Sequence, residues 1–257
     1  MEDWGKLCED ISDWIKRYAD ENEISTLVVG ISGGIDSAVT STLCAKTGLE
    51  TIVVSMPIHQ ESSQYNLAGR HIEWLESRWP NVSSHLVDLT ESYDSYVEGA
   101  LGGLEISELS LANTRARLRM TTLYAISGSR KGIVVGTGNK VEDFGVGFYT
   151  KYGDGGVDIS PIADLLKSEV YSLAKEMDII EDIQNSVPND GLWADGRSDE
   201  DQIGATYEEL EWAMAQVDRV EWEEFSNRQK EVLEIYQKLH ESNSHKMKPI
   251  PIYLKSS

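Results

Sequence analysis

Three short runs rich in β-branched residues, at 26–31 (TLVVGI), 51–56 (TIVVSM) and 132–137 (GIVVGT), constrain the fold of this chain more than any other feature. Each is apolar without alternation, the pattern of a strand buried on both faces. A weaker run at 84–88 (SHLVD) reads as one more strand. Between the runs, apolar residues recur three and four apart, which predicts helices over 37–46, 65–78 and 107–126. An opening helix carries Leu7, Ile11, Trp14, Ile15 and Tyr18 on one side. Strands that alternate with helices need crossover connections, which make the strands parallel and put helices on both faces of the sheet. The expected fold class is therefore α/β, an open parallel sheet. After residue 137 the sequence is glycine-rich and irregular to about 159. A helix is expected over 165–177, a polar loop over 186–202, and helices to about 240, one of them opened by a Thr206/Glu209 capping box. The C-terminal third is expected to pack on the same sheet, so that residues 1–257 form one domain.

The turn after the first strand reads Gly30-Ile31-Ser32-Gly33-Gly34-Ile35-Asp36-Ser37. A glycine-rich turn between a buried strand and a helix bares backbone N–H groups where the helix dipole is positive, and its glycines let a polyanion come close. A tight connection with two convenient glycines would look similar, but two serines and an aspartate among them favour a phosphate cradle. The turn lacks the lysine of GxxxxGK[ST] and the spacing of GxGxxG. It does fit GxSxG, with Ser32 in the position of a hydrolase nucleophile. That elbow, however, needs a preceding strand and loop to complete an oxyanion hole, and His59, His71, His85, His240 and His245 all stand in unremarkable settings.

Charge narrows the partners. With 23 basic and 44 acidic residues the net charge is −21, which opposes binding to nucleic acid or to an anionic membrane unless cations cluster locally. No apolar stretch nears the ~20 residues of a membrane helix, and the start has no secretory pattern; a cytoplasmic protein with no membrane partner is expected. Cys8 and Cys44 are too few and too distant for a CxxC site. His240-Glu241 begins like HExxH, but Ser244 stands where the second histidine belongs. Most of Trp4, Trp14, Trp74, Trp79, Trp193, Trp212 and Trp222 are expected in packing rather than in stacking on a ligand. Arg115, Arg117 and Arg119 could form a nucleic-acid stripe, although in so acidic a chain carboxylates are the better partners.

GISGGIDS resembles the SGGxDS loop of the N-type ATP pyrophosphatases, which split ATP between the α and β phosphates to adenylate a substrate. The stretch GTGNKVEDFGVGFYTKYGDGGVDISPIADLLKSEVY (136–171), with NTRARLRM (113–120) and HKMKPIP (245–251), is more specific. It resembles the ammonia-dependent NAD synthetases over 27–251, which implies a Rossmann-like sheet of the adenine nucleotide alpha hydrolase kind. Where many members read GTDHAAEAITGFFTK this chain has one residue more, and Asn189 stands where many carry an ATP-touching threonine.

The resemblance implies that Gly30, Ile31, Ser32, Gly33, Gly34, Ile35, Asp36, Ser37 and Thr137 bind ATP, with Lys167 on its phosphates. Asp36 and Glu142 would hold Mg2+, a hard ion suited to carboxylates. Arg117, Lys151, Asp158, His245 and Lys246 would contact deamido-NAD, and Asp154 would lie where ammonia enters; Asp36, Lys167 and Asp154 form the catalytic set. The reaction implied is adenylation of the nicotinate carboxylate by ATP and displacement of AMP by ammonia, giving NAD, in a homodimer without a glutaminase unit. The alternative is another ATP-pyrophosphatase amidotransferase or ligase with a different carboxylate substrate; a nucleotide sensor without turnover and an esterase stand further off.

Overall fold

The computed structural model describes residues 3–59, 62–188, 198–217 and 224–255. Helix α1 (Trp4–Glu21) leads into β1 (Thr26–Gly30), α2 (Ile35–Lys46), β2 (Glu50–Ser55), α3 (Ser62–Arg78) and β3 (Val82–Leu86). A short α4 (Thr90–Ser95) runs into a π turn, Tyr96–Ala100, before the long α5 (Glu108–Gly128) and β4 (Gly132–Val134). A second π turn, Val141–Val146, precedes α6 (Lys167–Glu176), α7 (Glu181–Gln184), α8 (Asp199–Ile203), α9 (Tyr207–Gln216) and α10 (Asn227–Met247).

The four strands form one parallel sheet in the order β3-β2-β1-β4. Both faces are covered, and the alternation hidden in the apolar runs shows in where each residue packs. Leu27, Val29, Val53, Ile133 and Val135 point to a cluster with α1, α2, α6 and α7. Val28, Ile52, Val54 and Val134 point the other way, to Tyr93 of α4 and to Met120 and Leu123 of α5. Helix α2 is buried along almost its whole length despite its hydroxyls. Ser41 and Thr42 can lie there because each donates to a carbonyl one turn back, Ser37 O and Ala38 O, both at 2.7 Å.

The structure moves some expected boundaries. The third strand starts at Val82, two residues before the expected 84–88, and the helix expected from 165 begins at Lys167. The last helix runs past 240 to Met247. The C-terminal third also divides. Helices α6 and α7 do pack on the sheet, but α9 and α10 gather a separate apolar cluster around the second π turn, with Val141, Val146, Leu210 and Leu233 at its heart. The physical reason is that Val141 and Val146 offer an apolar surface beyond the sheet's edge, and α10 closes on it.

Because β1 has β2 on one side and β4 on the other, the strand order reverses at β1, and the loops leaving β1 and β4 flank a crevice at the carboxyl ends of these strands. Open α/β sheets bind ligands in this crevice. Its one wall is α6, whose Leu173 is fully buried under the sheet. Leu173→Ala is expected to cost roughly 2–5 kcal/mol, read as a lower midpoint in urea denaturation; an unchanged midpoint would contradict this packing.

Candidate active site

The turn after β1 is arranged as an anion cradle. Gly33 has φ +90°, a conformation that suits glycine alone. Gly34 caps α2 without a side-chain hydrogen bond, so the first-turn N–H groups of α2 face the crevice. The serines brace the loop: Ser37 Oγ donates to Gly34 O (2.9 Å), Ser32 N donates to Ser37 Oγ (3.3 Å), and Ser32 Oγ accepts from Gly34 N (3.2 Å). Ser32 is thus engaged within its own loop, while the buried His71 meets Ser41 Oγ at 2.9 Å and stacks on Trp74. This arrangement does not suit a nucleophile elbow.

Above the cradle lies a buried ion cluster. Lys167, the first residue of α6, is only 2% exposed, and its Nζ donates to Asp36 Oδ2 (2.6 Å) and Glu142 Oε1 (2.9 Å). Asp36 comes from the first turn of α2 and Glu142 from the second π turn. A π turn holds one residue more than the α-helical equivalent and often marks a functional site. It absorbs the additional residue noted in this segment while still aiming Glu142 at Lys167. Asn139, fully buried, ties the loops together: its Nδ2 donates to Asp36 Oδ1 (3.0 Å), and its Oδ1 accepts from Val141 N and Glu142 N (both 3.1 Å).

Burial works against every charge in this cluster. For Lys167 the two adjacent carboxylates outweigh it and hold the ammonium well above its ordinary range. Burial also raises both carboxyls, but Lys167 and a hydrogen bond from Tyr207 bring Glu142 below its usual value, while Asp36 remains raised. The two carboxylates share one ammonium, and Glu142 has the Tyr207 hydroxyl as a further donor.

Around this centre one cavity of about 640 Å³ opens. Its floor is the Gly30–Ser37 turn together with Thr137, and Glu142, Asp154 and Lys167 stand on its walls. Arg117, Lys151, His245 and Lys246 stand at its far side. The last turn of α10 is stitched to the loop before Lys151. Lys246 Nζ donates to Gly147 O (2.7 Å) and Tyr149 O (2.8 Å), Lys151 Nζ donates to His245 O (3.0 Å), and Arg117 Nε donates to Lys151 O (3.2 Å). Three cations held by backbone carbonyls make a locally positive rim in an acidic protein. Asp154 Oδ1 accepts from Thr150 N (3.0 Å). Its side chain reaches solvent at the cavity mouth, yet surrounding protein atoms push its carboxyl up to about 6.

Asp158 is not among the residues that line the cavity, although its neighbour Val157 and its partner Val134 are. Its Oδ2 accepts from Val134 N (2.7 Å) and its Oδ1 from Tyr124 OH (3.1 Å), so the carboxylate braces the edge of β4. Trp74 and Trp79 pack against the core, as does Trp4, and Trp212 meets Phe225 edge-on. Asn189, Trp193 and Trp222 lie outside the described residues.

Sequence reasoning missed Asn139, Asp143, Tyr207 and Asp199. All but Tyr207 could have drawn notice as polar residues in or beside a glycine-rich or capping segment, but only long-range packing gives them partners. Asp143 rests against Gly138, where any Cβ would collide with its carboxylate. Burial first, then the charges of Glu142, Asp154 and Asp36, push it up to about 8.

A family model described as NAD synthase matches residues 7–250. The NH(3)-dependent NAD(+) synthetase of Alkaliphilus metalliredigens is 37% identical over 255 residues, covering 95% of this chain and 96% of the relative. Among solved structures, NMN synthetase from Francisella tularensis matches with a TM-score of 0.87 and 30% identity, covering 98% of this chain and 99% of that one. The NH3-dependent NAD synthetase from Campylobacter jejuni matches with a TM-score of 0.80 and 25% identity, covering 99% and 100%.

The Asp143 carboxyl gives a pH signature. A carboxyl raised in the folded state binds its proton more tightly there than in the unfolded chain, so stability falls as pH rises from about 4 to about 8. Asp143→Asn removes that loss. In metal-free buffer the variant is expected to gain roughly 1–3 kcal/mol over the parent at pH 8 and far less at pH 5. Denaturant unfolding at both pH values checks this, and an equal gain at both would contradict it.

Proposed function

Because the chain belongs to the NAD synthase family, we infer that it amidates deamido-NAD with ammonia at the expense of ATP, releasing AMP and pyrophosphate and forming NAD. It is a carbon–nitrogen ligase. The observation that carries the reading is the meeting of the Gly30–Ser37 cradle with Lys167, Asp36 and Glu142 at the carboxyl ends of β1 and β4. A carboxylate resists attack by ammonia because the attack adds charge to an anion; as an acyl adenylate it carries a good leaving group.

In this reading the cradle N–H groups and the α2 dipole hold the phosphates, and Thr137 stands beside them. The residues present suit Mg2+: two carboxylates converge on one cation, leaving the hard oxygen ligands that this ion prefers when it also meets phosphate. Asp36 and Glu142 would hold the ion, and it would supply positive charge to offset that of the substrate's phosphates. Lys167 is the preorganised cation that faces the departing pyrophosphate, where negative charge grows. Arg117, Lys151, His245 and Lys246, with Asp158 held at the edge of β4, orient the dinucleotide. Asp154, raised toward neutrality, takes the proton that ammonium must lose.

The site draws on residues from Gly30 to Lys246, which supports reading the chain as one domain, and we place it as a homodimer in the cytoplasm, where ATP is supplied. Among the described residues no helix is long and apolar enough to cross a membrane. The likeness to NMN synthetase supports a second reading, in which the same carboxylate is activated on the mononucleotide.

Incubation with ATP, Mg2+, ammonium and deamido-NAD is expected to yield NAD, AMP and pyrophosphate in equal amounts; ADP and orthophosphate would overturn the chemistry. A higher kcat/KM for nicotinate mononucleotide than for deamido-NAD would favour the second reading. Lys167→Met is expected to lower kcat by about 10²-fold or more. Asp154→Asn is expected to lose amide formation while still exchanging pyrophosphate into ATP; equal loss of both would remove it from ammonia chemistry.

A further inference from the structure

Tyr207 has no part in the mechanism above, yet it touches two of its three charged groups. It opens α9, 7% exposed, with its ring in the apolar cluster of Leu210 and Leu233. Its hydroxyl reaches out of that cluster and donates to Glu142 Oε1 at 2.6 Å. The face of its ring lies under Lys167, with Nζ 4.6 Å from the centroid. Asp199 Oδ2, buried at the start of α8, stands at 3.4 Å from the same hydroxyl. One phenol proton between two carboxylates goes to the nearer, and that is Glu142.

The placement of Tyr207 is fixed from several sides. Thr206 caps α9 by accepting from Glu209 N (3.2 Å), and Tyr207 N donates to Glu200 Oε1 (2.8 Å), which locks α8 to α9. A side chain held this firmly can orient a ligand carboxylate as outer partners do in metal sites. The contacts of Tyr207 and Lys167 both fall on Oε1 of Glu142.

We propose that Tyr207 is a positioning residue of this centre: its hydroxyl holds Glu142 by Oε1 so that Oε2 is presented to the metal, and its ring carries the Lys167 ammonium as the metal takes over the carboxylates. The proposal rests on the reading of Asp36 and Glu142 as the metal-holding pair. A core tyrosine with a conveniently satisfied hydroxyl would have the same burial but would leave metal affinity unchanged.

Mn2+ is the probe, titrated by electron paramagnetic resonance into the full chain with an α,β-methylene analogue of ATP. Tyr207→Phe keeps the ring and removes the donor; it is expected to weaken Mn2+ five- to tenfold, with analogue binding in EDTA within twofold of the parent. Tyr207→His restores an N–H donor and is expected to recover part of the loss. Glu142→Gln is expected to weaken Mn2+ at least as much, and adding Tyr207→Phe to it should cost nothing further, because the tyrosine acts through that carboxylate. Mn2+ affinity within twofold of the parent in Tyr207→Phe, beside a large loss in Glu142→Gln, overturns the proposal alone. Unchanged affinity in Glu142→Gln overturns it together with the metal reading.

Discussion

The ammonium of Lys167, shut away from water between Asp36 and Glu142, is the interaction on which the rest of the site depends. A buried charge that loses its partner is costly, commonly 3–5 kcal/mol. The cluster therefore demands that α2, the π turn and α6 arrive at one point, although Asp36 and Lys167 are 131 residues apart in sequence. The sheet order supplies that convergence. β1 and β4 are neighbours, so the turn leaving β1 and the loop leaving β4 face each other, and α6 returns beneath the sheet to place its first residue between them.

The surroundings of this cluster bear on how an acidic chain can take anionic substrates. Net charge −21 would repel a triphosphate at a distance. At the cavity, the N–H groups at the start of α2 and the side chains of Arg117, Lys151 and Lys246 offer local partners for negative charge. Lys167 alone is already neutralised, by groups that in our reading transfer to a divalent ion once phosphate is present. An ammonium that waits on two carboxylates keeps the centre folded before the nucleotide arrives and becomes available to phosphate afterwards.

The sequence disclosed what is local. β1, β2 and β4 stand out because strands buried on both faces are continuously apolar, and the turn after β1 because its glycines and serines form a contiguous pattern. β3, with Ser83, Ser84 and His85 only partly buried or exposed, gave a weaker signal, and its start was misplaced by two residues. The second π turn was not legible, since a single inserted residue has no periodicity to announce it. The roles of Asn139 and Tyr207 are hidden for another reason: their partners lie 103 and 65 residues away, and only the folded chain brings them together. Asp158 combines the two. Its motif position points to substrate, and the fold adds what the motif does not show, that the backbone N–H of Val134 and the hydroxyl of Tyr124 engage its carboxylate at the sheet edge.

The most direct measurement is a crystal structure with Mn2+ and the α,β-methylene analogue of ATP, the metal located by its anomalous scattering. The account requires the triphosphate on the turn after β1, the metal between Asp36 and Glu142, and the Lys167 ammonium moved from those carboxylates to a phosphate oxygen. Phosphates bound elsewhere, or a metal seated outside the pair while Lys167 still bridges it, would contradict it.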